Sequence, residues 1–269
     1  MLFDPTQSNA IKVQTLAQAI SAGPWKMELP HDRPDHLLIW VTRGQGRALL
    51  NGDPCGFGSH NALFIPAHHL VSLSFGRQTI GQVLHIPGAS ALTVPQYPQR
   101  IQVLDSRDQA ELTALFEALN REQSLAAPLW QSAMEAQAEL VGIWLRRHMK
   151  GENLAHERPT AAQKIVRAYF QRLVHSFASG MSMADHAREL GVTPTHLTRV
   201  CKAQTGQTAA ALLTGRLVHA SRTLLEETKF PARDIARHLG FNSAAYFSRF
   251  VAQHCGCSPS ALRNPNERR

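Results

Sequence analysis

The sequence predicts an α+β protein, with an N-terminal β-rich domain that ends in an antiparallel pair of helices and a C-terminal all-α domain. Short apolar runs separated by glycine and proline occupy the first part of the chain, as in a small β-sandwich or barrel. Towards the C terminus one pattern of small, hydrophobic and glycine residues occurs twice, which predicts two helix-turn-helix units. The net positive charge is confined to the part of the chain that contains this repeat.

Length and composition are those of a globular protein with two domains. The 269 residues suffice for two hydrophobic cores. The N-terminal residues lack the pattern of a signal peptide, and no apolar run approaches the roughly 18 residues that cross a bilayer, so no membrane partner is expected. The cysteines show neither a disulfide framework nor a paired metal-binding spacing, which favours reduced thiols in a cytoplasmic protein: Cys55, Cys201, Cys255 and Cys257.

The N-terminal domain is predicted over residues 1–150. Residues 7–22 favour a short helix, and residues 25–103 favour short strands, because their apolar runs are broken repeatedly by glycine and proline. Two helices follow over 107–149 as an antiparallel pair, each with one apolar face. These faces either cover the β-domain or pack against a second copy of the chain in a homodimer.

The C-terminal domain is predicted over residues 162–264, after a polar linker at 151–161. Its two helix-turn-helix units span 183–206 and 232–256, and a long helix over 208–226 joins them.

Both units contain the residues that a close helix crossing and a tight turn require. Ala187 and Ala236 are small enough to let the two helices of each unit cross closely. Gly191 and Gly240 are predicted to take the left-handed backbone that ends the first helix. The spacing between the copies is 49 residues up to this glycine and 50 after it, and a duplication at fixed spacing is more specific than a single match.

An excess of basic residues accompanies the repeat. Residues 162–269 contain 15 Lys and Arg against six Asp and Glu, whereas residues 1–161 contain 13 against 14. A basic surface is the electrostatic feature expected of a protein that meets phosphates. Together with the paired units, it predicts double-stranded DNA as a partner.

The motifs of this domain resemble those of the AraC/XylS family of bacterial transcription regulators. The second unit carries most of the resemblance, in Asp234-Ile235-Ala236, Gly240-Phe241, Tyr246-Phe247-Ser248-Arg249-Phe250, Gly256, Ser258-Pro259 and Leu262-Arg263. The first unit and the joining helix contribute His196-Leu197, Arg199, Lys202, Thr205-Gly206, Arg216 and residues 220–225. The resemblance implies a cytoplasmic, sequence-specific DNA-binding regulator of transcription, an activator that meets RNA polymerase and has no enzymatic activity.

The resemblance also implies which side chains face DNA. The second helix of each unit is expected in the major groove, where base edges present donors and acceptors. Arg199 is expected to bind guanine, and His196 to pack or to contact phosphate, while a structural salt bridge is the alternative for Arg199 and Arg249. The other expected contacts are Thr195 and Thr198 in the first unit and Asn242, Ser243, Ala244, Ala245, Ser248 and Arg249 in the second. Alanines read little beyond a thymine methyl group, so the first unit is expected to discriminate and the second to anchor.

The N-terminal domain resembles the effector-binding and dimerisation domain of the same family, a cupin-like β-barrel. The matching residues are Asp32-Arg33-Pro34, Arg43-Gly44-Gln45-Gly46, Phe64-Ile65-Pro66 and His68-His69. This resemblance implies a small-molecule effector, with Arg33 as a contact to a carboxylate or hydroxyl group. His36 and Trp40 lie on one face of the predicted strand and complete the expected site, although a plain core position is the alternative for Trp40.

Two other functions are compatible with the sequence. A constitutive DNA-binding protein would have the same C-terminal domain and no effector. A metal-dependent enzyme would use histidines of the β-domain as ligands, namely His31, His36, His68 and His69. The closely spaced His-x-His with a following Glu of such enzymes is absent, so we expect no catalytic residue, metal or cofactor.

Overall fold

The structure, a computed structural model, describes residues 10–149 and 159–264. These residues form two compact units, one within 6–28 and 32–159 and the other within 160–269 together with Leu29–His31. Residues 151–158 of the predicted linker lie outside the described residues. No described helix is both long and apolar enough to cross a membrane.

Two antiparallel sheets form the N-terminal unit, which confirms the predicted β-rich half of an α+β fold. Its strands are β1 (Lys12–Thr15), β2 (Asp35–Arg43), β3 (Gly46–Leu50), β4 (Asp53–Phe57), β5 (Asn61–Ile65), β6 (Val71–Phe75), β7 (Ile80–Pro87) and β8 (Gln99–Gln102). The larger sheet has the strand order β1-β7-β2-β5-β8, and the smaller one has the order β4-β3-β6. The helices of this unit are α1 (Leu16–Ala19), α2 (Trp25–Glu28), α3 (Ser106–Leu125) and α4 (Trp130–Met149).

Strand β2 lies in the middle of the larger sheet, and its two faces have different neighbours. Leu38 and Trp40 point to the side that α3 and α4 cover, where Trp40 Nε1 donates to Thr113 Oγ1 at 3.1 Å. Leu37 and Ile39 point to the opposite side, against apolar side chains of the smaller sheet. The unit therefore has three layers, and the apolar faces of the helix pair cover the β-domain.

The helix predicted over 7–22 is wrong at Lys12–Thr15, which form β1. These residues pair with β7, from Lys12 opposite His85 to Thr15 opposite Gln82. Pairing with a strand far away in the sequence overrides the local apolar pattern. Helix occurs only over Leu16–Ala19, where the Thr15 side chain caps the first turn. Residues 7–9 lie outside the described part of the chain.

The C-terminal unit is all-helical, as predicted. Its helices are α5 (Ala161–Ser176), α6 (Met183–Glu189), α7 (Pro194–Thr205), α8 (Ala209–Glu227), α9 (Ala232–His238), α10 (Ala244–Cys255) and α11 (Pro259–Arg263). Helices α6 and α7 form the first helix-turn-helix unit, and α9 and α10 form the second. The joining helix α8 contacts helices of both units. The buried hydroxyl of Tyr169 in α5 donates to the carbonyl of Ala209, in the first turn of α8, at 2.8 Å. This hydrogen bond connects α5 to α8.

The turns of the two units have the same backbone geometry. Gly191 has φ 68° and Gly240 has φ 74°, so both take the predicted left-handed conformation. The next amide donates to the carbonyl of the small residue four positions before the glycine, at 3.0 Å onto Ala187 and at 2.9 Å onto Ala236. Ala187 and Ala236 are both buried, as close crossing of the helices requires.

The surroundings of the two glycines differ, which predicts unequal effects of one substitution. A Cβ at Gly191 meets nothing within 4 Å, so Gly191→Ala costs only the strain of a left-handed alanine, about 1–2 kcal/mol. A Cβ at Gly240 would lie 2.3 Å from the backbone nitrogen of Gly180, so Gly240→Ala must also displace backbone. We expect Gly240→Ala to lower the free energy of unfolding more than Gly191→Ala, measured by urea denaturation. Equal losses would show that the contact with Gly180 does not contribute.

Candidate nucleic-acid interface and effector site

Helix α7 has one buried and one exposed side. Thr193 caps its N terminus by accepting from the His196 amide at 3.2 Å, and Pro194 occupies the first turn, where its missing N–H has no cost. Leu197 packs into the core. Thr195 and Arg199 lie on the exposed side. Of the other residues predicted to contact DNA in this unit, His196 and Thr198 are half-buried.

Arg199 is positioned by the same helix. Its Nη2 lies 3.1 Å from Nδ1 of His196, one turn earlier. A guanidinium can only donate, so this contact assigns Nδ1 as an acceptor and the proton of a neutral imidazole to Nε2. Arg199 has no ion pair with any described residue. The structure therefore shows a guanidinium held at the surface by a histidine and not the structural salt bridge considered as its alternative.

Helix α10 repeats this arrangement with different chemistry. Ser243 caps it by accepting from the Tyr246 amide at 3.1 Å, and Phe247 is fully buried. Arg249 is exposed and has neither an ion pair nor a hydrogen bond with the described residues. The remaining residues predicted at this surface are exposed at Asn242, Ser243, Ala244 and Ala245 and half-buried at Ser248.

An arginine is buried in α8, the helix that joins the two helix-turn-helix units. Arg216 is 8% exposed, and its guanidinium carbon lies 3.8 Å from the ring centroid of Phe177. A cation over an aromatic face is stabilised by the ring quadrupole. This contact fixes the middle of α8 against the segment that follows α5.

The predicted effector residue Arg33 belongs to a polar network in the N-terminal unit. Arg33 Nε donates to Oδ1 of Asp35 at 3.0 Å, and Oδ2 of Asp35 lies 2.5 Å from Nδ1 of His85. Nε2 of His85 in turn lies 2.9 Å from the side-chain amide nitrogen, Nε2, of Gln14. This pattern requires a neutral His85 that donates from Nδ1 and accepts at Nε2. The terminal nitrogens of Arg33 have no hydrogen-bond partner among the described residues.

The charges of this network agree with its geometry. Burial raises the pKa of Asp35, but the hydrogen bond from His85 and the charge of Arg33 outweigh it and hold the pKa below the usual value. Burial lowers the pKa of His85 against the opposing effect of Asp35, which keeps the ring neutral. The network therefore contains one carboxylate that is balanced by one guanidinium.

His36 and Trp40 lie on the other face of β2. The Nδ1 atom of His36 accepts from the Ala67 amide at 2.9 Å, and its ring stacks near Phe64, on the side of the helices. Burial lowers the pKa of His36. Trp40 is fully buried between the sheet and α3. The structure thus does not bring Trp40 together with Arg33, and it places Trp40 in the core.

Sequence reasoning missed Asp35 and His85 as partners of Arg33. The alternation along β2 held a signal, because Asp35 shares the face of Leu37 and Ile39 and is the polar residue that begins this apolar row. The pairing that brings His85 opposite Leu37 was not visible in the sequence.

Comparisons with known proteins match the C-terminal unit. Residues 186–265 match the family described as a helix-turn-helix domain. Over 89 residues the chain is 27% identical to the arabinose operon regulatory protein of Escherichia coli (strain K12), a match that covers 33% of this chain and 30% of that protein. The same identity and length of match are found with the protein of that name from Salmonella typhimurium, of which 32% is covered. The chain thus spans about a third of the length of these relatives.

Solved structures are similar over parts or most of the chain. The C-terminal domain of AraT, a response regulator from Geobacillus stearothermophilus, is 28% identical, with 40% of this chain and 88% of that chain covered and a TM-score of 0.36. Wild-type ToxT from Vibrio cholerae strain SCE256, in its unsaturated fatty acid-bound form, is 12% identical, with 95% of each chain covered and a TM-score of 0.42.

A buried histidine in the first unit predicts a pH-dependent stability. His186 on α6 is fully buried, and neither ring nitrogen has a hydrogen-bond partner among the described residues. Burial and the charge of Arg172 lower its pKa. In the unfolded chain a histidine titrates at about pH 6.5. Below that pH the His186 imidazole binds a proton in the unfolded state more readily than in the folded state. The free energy of unfolding therefore falls as the pH is lowered.

The repeat supplies the substitution that tests this effect, since Ile235 occupies the matching position in the second unit. We expect His186→Ile to raise the free energy of unfolding at pH 7 by about 1 kcal/mol, because two unpartnered polar atoms are removed. The gain should increase towards pH 5.5 in urea denaturation. His238→Gln, at an exposed histidine of α9, controls for the loss of a titrating side chain. A pH-independent gain would refute the protonation argument.

Proposed function

We propose, on the premise that this chain belongs through its helix-turn-helix domain to the AraC/XylS family of regulators, that it regulates transcription by binding operator DNA through α7 and α10. The observation that supports this most is the pair of arginines at matching positions of the repeat. Arg199 and Arg249 are both exposed and have no acidic partner among the described residues. A guanidinium in that state is available for guanine or phosphate.

The joining helix supports simultaneous binding of both units. Because α8 packs against helices of each unit, the two reading helices are held at a fixed separation. We propose that they enter successive major grooves on one face of the duplex, about 34 Å apart. The spacing of the two half-sites is then set by α8.

The two units are proposed to contribute differently. The exposed side of α7 carries Thr195 and Arg199, which offer a hydroxyl, a methyl group and a fork of donors. The start of α10 carries Ala244 and Ala245, which offer only methyl groups. We therefore assign most base discrimination to α7 and most phosphate anchoring to α10.

The N-terminal unit is proposed to bind a small-molecule effector at Arg33. The unpartnered terminal nitrogens of Arg33 suit a carboxylate or hydroxyl group, and Asp35 fixes the side chain from its other edge. His36 and Trp40 face the helices, so the proposed effector contact consists of Arg33 and its hydrogen-bond network alone. The constitutive alternative is supported by the apolar side chains, including Leu37 and Leu63, that fill the space between the sheets.

Activation through RNA polymerase and assembly as a homodimer remain part of the proposal. The inner faces of α3 and α4 are used against the sheet, so a second copy would meet what these helices leave exposed, which includes Leu125 and Leu140.

Substitution of Arg199 tests the assignment of α7. We expect Arg199→Ala to lose about 1–3 kcal/mol of discrimination at one base-pair position, because a bidentate bond to one base is removed. Arg249→Ala should weaken binding to all sequences alike and reduce its salt dependence. Selection of bound sites from randomised DNA, followed by anisotropy titrations at two salt concentrations, measures both effects. An unchanged base preference in Arg199→Ala would rule out its role in readout.

A ligand screen on the full chain tests the effector site. We expect one compound among sugars, aromatic acids and fatty acids to raise the melting temperature of the wild type, because a ligand of the folded state stabilises it. Arg33→Lys should remove most of that shift, since lysine keeps the charge beside Asp35 but loses the planar donor pair. Arg121→Lys, at an exposed arginine of α3, is the matched control. Absence of any hit would favour the constitutive alternative.

A further inference from the structure

An open cleft of about 700 Å³ lies in the N-terminal unit, between the ends of the two sheets. Its walls come from both sheets, with Gly46 and Phe57 from the smaller one and Asn61 and Gln102 from the larger one. Asn61 pairs opposite Val41, near the end of β2, whereas Arg33 precedes the start of that strand. From Asp35 to Val41 strand β2 extends over roughly 20 Å, and this distance separates the cleft from the Arg33 network.

The inward-facing positions become polar at this end of the larger sheet. Ala62 and Ile101 belong to the core beneath α3 and α4, so alternation turns Asn61, Arg100 and Gln102 towards the smaller sheet. In the middle of the sheet this face is apolar and fills the space between the sheets. Polar side chains in such positions form the wall of a cleft and do not contribute to a core.

Asn61 leaves an acceptor without a partner in that wall. The residue is 3% exposed, and its Nδ2 donates to the carbonyl of Ser59 at 3.3 Å. Its buried Oδ1 has no hydrogen bond among the described residues. A buried acceptor without a partner is destabilising, and a ligand hydroxyl that donates to it would remove this cost.

The charged side chains that line the cleft are positive. Arg47 and Arg100 both line it, and none of the described residues that line it is acidic. Among the described residues, Arg100 forms one hydrogen bond, from Nη1 to the neutral carbonyl of Gly56 at 3.4 Å. Glu28 lies beside the lining, since its Oε1 accepts from Ser74 Oγ at 3.4 Å, but it carries one negative charge against two positive ones. The net positive charge attracts an anion, and guanidinium groups bind carboxylate or phosphate oxygens through paired donors.

We propose that this cleft binds a small hydroxylated organic anion, a sugar acid or a sugar phosphate. Arg100, which alternation turns into the cleft, holds its charged end, Arg47 adds positive charge at the rim, and Asn61 accepts from a hydroxyl group. The volume falls within the range of pockets for small molecules. The inference goes beyond the proposed function, because it requires neither DNA binding nor an effector at Arg33.

Calorimetric titration of the full chain with gluconate, glucose 6-phosphate and glucose tests the proposal. We expect at least one of the two anions to bind, and glucose to bind at least about tenfold more weakly, since it lacks the charged group. Binding of gluconate alone identifies a carboxylate site, binding of glucose 6-phosphate alone a phosphate site, and both outcomes support the proposal. No binding of either anion up to roughly 10 mM, or equal binding of glucose, overturns it.

Variants locate the site. Arg100→Met should weaken anion binding about tenfold and Arg47→Met about fivefold, whereas Arg121→Met, which removes the same charge from α3, should stay within about twofold of the wild type. Gly58→Gln should block the cleft without backbone strain, because a Cβ there meets only the Gly44 carbonyl at 4.0 Å. Equal weakening in Arg121→Met, or unchanged binding in Arg47→Met and Gly58→Gln, would place the anion elsewhere.

The controls separate this proposal from the one on function. Arg47 is exposed and has no side-chain hydrogen bond among the described residues, so its variant tests the site even if Arg100→Met unfolds. Arg33→Lys should bind the anion as the wild type does. Operator binding is measured on the same preparations, so a loss of either activity alone identifies which proposal has failed.

Discussion

The packing of α8 against both helix-turn-helix units is the interaction on which the C-terminal half depends. At one end Tyr169 ties α5 to the first turn of α8, and in the middle Arg216 lies on the ring of Phe177. Leu224 and Leu225, near the other end, belong to the core of the second unit. A helix of 19 residues is about 28 Å long, which is close to one turn of duplex DNA. This one helix thus has the length that the proposed reading of two successive grooves requires.

In the N-terminal unit the alternation along β2 decides where a ligand has access. One face is closed by α3 and α4 over Trp40, and the middle of the other face is closed by the smaller sheet over Leu37 and Ile39. Polar and charged groups occur where those apolar rows stop, with Arg33 at one end and Arg100 near the other. The ligand sites proposed for this unit therefore lie at the ends of its sheets, where no apolar contacts need to be broken.

The sequence allowed the helical half to be predicted in detail, because its signals are local. Gly191 and Gly240 mark turns whose hydrogen bonds span only five residues. Ligand-facing positions in the sheets depend instead on strand pairing, which brings His85 to Asp35 across 50 residues and turns Lys12–Thr15 from the predicted helix into a strand. The pattern along β2 placed His36 and Trp40 on one face correctly. It held no information on which side the helices would cover.

The two copies of the repeat are stabilised in different ways, which is relevant to the different functions proposed for them. The first unit relies on local caps, since Ser182 forms a capping box at α6, and its turn at Gly191 is open to solvent. The second lacks a side-chain cap at Pro231, but Gly240 is pressed against Gly180 and Phe241 contacts three aromatic rings. Elements with few buried contacts open at low free-energy cost, and densely packed ones do not. The denser packing of the second unit agrees with its proposed role in phosphate contacts, whereas the more open surroundings of the first unit agree with the proposed role of Arg199 in base reading.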